Sequence, residues 1–126
     1  MSEPRREISI EVENEFLDTE SEPDNGRFVF AYTITLANTG EVSARLLTRH
    51  WVITNADGLV QEVHGEGVVG EQPYLAPGSN YSYTSGAVLA TPVGTMEGTY
   101  QWLGDDGVAF DAPIPPFRLA VPGLLH

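Results

Sequence analysis

The sequence predicts an all-β domain built as two antiparallel sheets packed face to face. Three observations carry this. Apolar residues alternate with polar ones through most of the chain, and turn signals recur at roughly ten-residue spacing. No stretch shows an apolar period of 3.6 long enough for an amphipathic helix.

Ile8, Ile10 and Val12 alternate with Glu7, Ser9, Glu11 and Glu13, which predicts a half-buried first strand with an acidic outer face. Residues 18–26, Asp-Thr-Glu-Ser-Glu-Pro-Asp-Asn-Gly, read as a polar turn or loop. Phe28, Phe30, Tyr32, Ile34 and Leu36 mark a long second strand ending at the turn Asn38-Thr39-Gly40. A third strand is expected over about 45–54, with Trp51 and Ile53 on one face. Strict alternation would add Arg49 to that face, so a bulge is expected near Arg49 or His50. Asn55-Ala56-Asp57-Gly58 is a hairpin signal, and a short strand follows over 59–63.

The glycine-rich residues 64–70 lead through Glu71-Gln72-Pro73 to the turn Leu75-Ala76-Pro77-Gly78. Tyr81 and Tyr83 share a face of the next strand, expected to end near Gly86. Residues 95–103 form another strand, closed by Gly104-Asp105-Asp106-Gly107, with Val108 and Phe110 in its hairpin partner. Pro113, Pro115 and Pro116 are expected to break the pattern before a final short strand carrying Phe117, Leu119 and Val121. The count of seven to nine short strands is that of a sandwich or barrel. No repeat or linker divides the chain, so residues 1–126 are expected to form one domain with its core over about 6–121.

One constellation favours an immunoglobulin or fibronectin type III-like sandwich. Such domains bury a tryptophan on the third strand, and a corner tyrosine stands two residues before a core cysteine. Trp51 is the candidate core tryptophan, with Phe30 and Tyr100 in or beside the same core. Tyr100 is assigned as the corner tyrosine, with Trp102 in the place of the absent cysteine and Tyr81 as the competing candidate.

Composition narrows the function. Hydrophobic residues at 41% and charged residues at 19% belong to a globular domain rather than a disordered one. With no cysteine, a disulfide framework, a cysteine nucleophile and a thiolate zinc site are excluded. Acidic residues outnumber basic ones 18 to 6, for a formal net charge of -12. That field repels phosphate backbones and anionic lipid and attracts cations and basic proteins, so nucleic-acid binding is not expected. Residues 1–6 have no apolar run after them and no stretch is long enough to span a bilayer, so a cytoplasmic protein without membrane insertion is expected.

Several motifs invite a chemical reading. Gly65-Glu66-Gly67-Val68-Val69-Gly70 matches G-x-G-x-x-G, with Gly65, Gly67 and Gly70 as a candidate phosphate-binding loop. In dinucleotide folds that motif works because a helix follows and aims amides at a pyrophosphate. Here Glu71-Gln72-Pro73 follows with no helical pattern, and Glu66 brings a negative charge, so a structural loop is favoured and no cofactor is expected. His50 and His64 can approach each other across the hairpin turning at Asp57-Gly58. They are candidate metal ligands, with Glu62, Glu66 and Glu71 as further donors and His126 as a terminal third histidine. Ser79, Ser82 and Ser85 sit in no nucleophile elbow, and catalysis is not expected.

Arg49-His50-Trp51-Val52-Ile53, the Asp57-Gly58 turn and the run from Gln61 through Gly65-Glu66-Gly67-Val68-Val69-Gly70-Glu71-Gln72-Pro73 stand in a recognisable order. Tyr83-Thr84-Ser85-Gly86, Gly94-Thr95-Met96-Glu97-Gly98-Thr99-Tyr100 and Ile114-Pro115-Pro116-Phe117-Arg118-Leu119 continue it. In this order and spacing the chain resembles the ApaG family, also called CorD, from near residue 6 to residue 121. Trp102 departs from the aliphatic side chain or methionine more usual there. The resemblance implies a fibronectin type III-like sandwich and an association with cobalt resistance and magnesium efflux. It also implies frequent gene neighbourhood with a diadenosine tetraphosphatase, and use as a domain in larger eukaryotic proteins, including an F-box protein. None of these defines a molecular activity. The expectation is therefore a non-catalytic module that binds another protein. The preferred patch is 65–73, with Val68, Val69, Glu71 and Gln72 as contacts. Self-association as a homodimer, weak divalent-cation binding, and weak nucleotide or pyrophosphate binding through the glycine-rich loop are the alternatives.

Overall fold

A computed structural model describes residues 3–123. Among the described residues eight strands run β1 Ile8–Phe16, β2 Phe28–Asn38, β3 Ala44–Asn55, β4 Val60–Glu66, β5 Tyr74–Leu75, β6 Asn80–Leu89, β7 Val93–Gly104 and β8 Ala109–Ala120. Two single 3₁₀ turns, Asp18–Glu20 and Pro23–Asn25, fill the polar segment after β1. The first sheet has the order β1-β2-β6; the second has the order β4-β3-β7-β8, with β5 pairing β3 beyond the end of β4. All pairings are antiparallel. This is the two-sheet sandwich that the alternation predicts. No helix among the described residues is long and apolar enough to cross a membrane.

The alternation works because successive side chains on a strand face opposite ways. On β2, Phe30, Tyr32, Ile34 and Leu36 are buried, while Ala31, Thr33 and Thr35 between them are partly exposed. They meet Trp51, Met96, Tyr100, Trp102, Ile114 and Leu119 of the second sheet in one core. Tyr32 packs edge-on to Trp51 at 5.4 Å between centroids, and Phe117 lies 5.9 Å from the same indole. Trp51, Tyr100 and Phe30 thus occupy the core positions expected of them.

Four local expectations are corrected. The bulge in β3 lies between Leu46 and Thr48, not at Arg49 or His50, so alternation is intact across Arg49, Trp51 and Ile53. The prolines do not end the last hairpin: β8 runs unbroken for 12 residues, and Phe117 and Leu119 belong to it. An edge strand tolerates proline because one row of its amides needs no partner. Register shifts between Met96 and Gly98, which places Pro115 and Pro116 in the irregular stretch. β6 continues past Gly86 to Leu89, paired along β2. Lastly, Tyr100 makes no corner bond back to the chain. Its hydroxyl meets that of Tyr83 at 2.5 Å, joining the two sheets through the core. Burial, followed for Tyr100 by the neighbouring Tyr83 phenol, pushes both phenols well above the usual tyrosine range.

Candidate functional site

The β3–β4 hairpin and the stretch between β4 and β5 carry most of the residues singled out in the sequence. The hairpin turn is fixed by Asn55, whose Oδ1 accepts the amides of Asp57 at 2.9 Å and Leu59 at 3.1 Å, and by Gly58 at φ 82°. That turn sets the register in which Arg49 pairs with Gly65, His50 with His64, and Trp51 with Val63. Trp51 points into the core, so His50 and His64 fall on the outer face, joined there by Glu62 two residues before His64.

The two imidazoles stack at 4.1 Å between centroids with planes 6° apart. Glu62 Oε1 lies 2.9 Å from His50 Nε2. One donor atom from each of the three side chains falls within 4.8 Å of the others. His50 is partly buried and the other two are exposed. Glu66 and Glu71 are not brought to this cluster; they line a separate hollow with Arg45, Gly70 and Gln72. His126 lies outside the described residues.

The glycine-rich stretch does not open as a loop. Residues 64–66 complete β4, and Val68 and Glu71 exchange two backbone hydrogen bonds of 2.7 and 2.9 Å around Val69 and Gly70. Those two residues have φ values of 48° and 79°, the signs of a type I′ hairpin turn. The element that follows is the two-residue strand β5, not a helix. The segment is fastened to β3 at the bulge: Leu47 O accepts Gly67 N at 2.8 Å and Gln72 Nε2 at 3.0 Å. Arg49 Nη1 donates to the carbonyls of Glu66 and Gly67 at 3.0 and 2.9 Å. A side chain at Gly65 would collide with that guanidinium.

The preferred contact patch is corrected accordingly. Val68 is 1% exposed and belongs to the core, and the side chain of Gln72 is spent on Leu47. Val69 alone of the two valines is open, at 61%. Other exposed apolar side chains lie elsewhere. Leu59 just before β4, Val60 at its start and Val88 near the end of β6 line a cleft of about 410 Å³ with Ile53, Leu89 and Arg27. β4 and β6 are edge strands of opposite sheets, and this cleft touches both. Sequence reading placed Leu59 in a strand but gave no sign that the cleft between sheets stays open beside it.

Residues 18–104 match the ApaG domain. The chain is 60% identical over 126 residues to the Protein ApaG of Pseudomonas paraeruginosa, covering the whole of both. It superposes on the crystal structure of the ApaA protein of Bordetella pertussis with a TM-score of 0.92 and 45% identity, over 94% of this chain and 97% of that one. The C-terminal domain of Wzt shares the fold alone, at a TM-score of 0.53 and 11% identity. With a family match spanning most of the sandwich and a relative aligned end to end, the chain belongs to the ApaG family.

Proposed function

We propose that the domain is a non-catalytic module that binds an extended apolar segment of another protein along the side where β4 and β6 are unpaired. The cleft carrying Leu59, Val60 and Val88 is the observation that supports this reading. These side chains are 68%, 61% and 48% exposed, which costs solvation with no structural return in the isolated chain. Edge strands beside them offer unpaired amides and carbonyls, so a partner strand would gain backbone hydrogen bonds from the edge and side-chain burial from the cleft. Arg27 in the cleft is a cation in a chain of net charge -12, and it suits a partner segment with an acidic group.

Affinity capture with the wild-type chain and a Val60→Asp, Val88→Asp variant tests this, with Val69→Asp as the surface control. Circular dichroism establishes that each variant folds, and sedimentation separates self-association from a different partner. The expected result is a partner held by wild type and by Val69→Asp and lost from the double variant. A partner held equally by all three, or none held by the wild type, refutes the reading.

A further inference from the structure

We propose that His50, His64 and Glu62 form a surface site for one divalent transition-metal ion of the zinc or nickel class. Three features of the outer hairpin face carry this. First, the backbone fixes the set. His50 and His64 are directly paired across β3 and β4, and Glu62 is the next residue on the same face of β4. No loop has to order before the donors converge. Second, the spacing suits a single ion. Ligands 2.0–2.2 Å from a tetrahedral ion stand about 3.4 Å apart. Glu62 Oε1 and His50 Nε2 are already 2.9 Å apart, and the widest separation in the set is within 4.8 Å. The rings stack nearly parallel, so His64, which is exposed, has to turn out of the stack for its in-plane lone pair to meet an ion held beside partly buried His50 and exposed Glu62.

Third, the electrostatics favour a cation. Val52, the next outward position on β3, is flanked by Glu62 on β4 and Glu97 on β7. A second carboxylate therefore faces the same side, within an already anionic protein. Two imidazoles and one carboxylate prefer zinc, copper or nickel to magnesium or calcium, which take oxygen ligands. Three protein donors leave at least one coordination position for water or a partner group.

The test uses the full chain without an affinity tag. Calorimetric titration with zinc chloride, and with magnesium chloride at the same concentrations, is combined with NMR of the imidazole resonances. The expected result is one zinc per chain, shifts confined to His50 and His64, and no saturable response to magnesium. His50→Ala and His64→Ala should each weaken zinc by at least about tenfold, Glu62→Gln by less, and His126→Ala not at all. All four positions lie on the surface or at the terminus, and circular dichroism checks that each variant folds. Zinc binding that survives the His50→Ala, His64→Ala double variant, that follows His126, or that never saturates overturns the proposal.

Discussion

Replacing Gly67 or Gly70 by alanine separates two accounts of the same G-x-G-x-x-G string. Both glycines have positive φ, 59° and 79°, where an L-residue pays roughly 1–2 kcal/mol. Part of that is offset, by about 0.4–1 kcal/mol, because alanine restricts the unfolded chain. At Gly70 nothing else opposes the change, since a Cβ there meets no atom within 4 Å. Gly70→Ala should therefore cost about 0–1.5 kcal/mol. At Gly67 a Cβ would stand 2.1 Å from Glu71 O, an overlap that only backbone movement relieves. That carbonyl accepts Val68 N, and Glu71 N donates back to Val68 O. Loss of the pair adds roughly 0.5–1.5 kcal/mol per bond, for a total of about 1–5 kcal/mol. Urea unfolding followed by tryptophan fluorescence measures both variants against wild type. The structural account requires Gly67→Ala to lose clearly more stability than Gly70→Ala. Equal small losses in the two variants would refute it and return the loop to the list of ligand sites.

Two further outcomes follow from strain and burial. Val69 is a β-branched residue at φ 48° and is exposed, so Val69→Asn should raise stability by about 0.5–1 kcal/mol in the same urea assay, and a loss would show that the turn is not as described. Tyr83 and Tyr100 hold their protons above the usual phenol range through burial, whereas the unfolded chain releases them near pH 10. Above that pH the folded state binds more protons than the unfolded state. The stabilisation is thus complete below about pH 10 and is lost as pH rises beyond it, by at most about 1.4 kcal/mol per pH unit for each phenol. Urea midpoints measured up to about pH 11 should fall steeply for wild type and less for a Tyr83→Phe, Tyr100→Phe double variant; parallel curves would refute the assignment.

The parts of the fold that were legible in the sequence are those decided locally. Phe28 to Leu36 announces its strand because one face of β2 is buried and the other is not, and that contrast is written residue by residue. The departures come from partners distant in the chain. Pro113, Pro115 and Pro116 look like breakers until β8 is known to be an edge strand, and edge position is a property of the whole sheet order. The bulge at Leu47 has the same origin. Its carbonyl serves Gly67 and Gln72 instead of the ladder, and nothing near residue 47 records that demand. Asn38 read as a turn residue, yet it is 2% exposed. Its Nδ2 bonds Val42 O and Leu75 O at 2.9 Å, tying the β2–β3 turn to β5.

The histidine pair and the valine pair show why one candidate was legible and the other was not. A hairpin centred on residue 57 brings together residues equidistant from it, so His50 meets His64 and Thr54 meets Val60 in the same register. The meeting of the two rings needs only the turn signal Asn55-Ala56-Asp57-Gly58 and the period of two, both present in the sequence. Val68 and Val69 are chemically identical neighbours, and a strand alone would put one in and one out without saying which. The choice is made by the positive φ pair at Val69 and Gly70, which turns the chain at Val69 and leaves Val68 as the last inward residue before the turn. A β-branched residue at positive φ is disfavoured by its own sterics, so the sequence argues against the conformation it adopts. It is held there by the two hydrogen bonds between Val68 and Glu71 and by the burial of Val68, which together outweigh the strain of one exposed side chain.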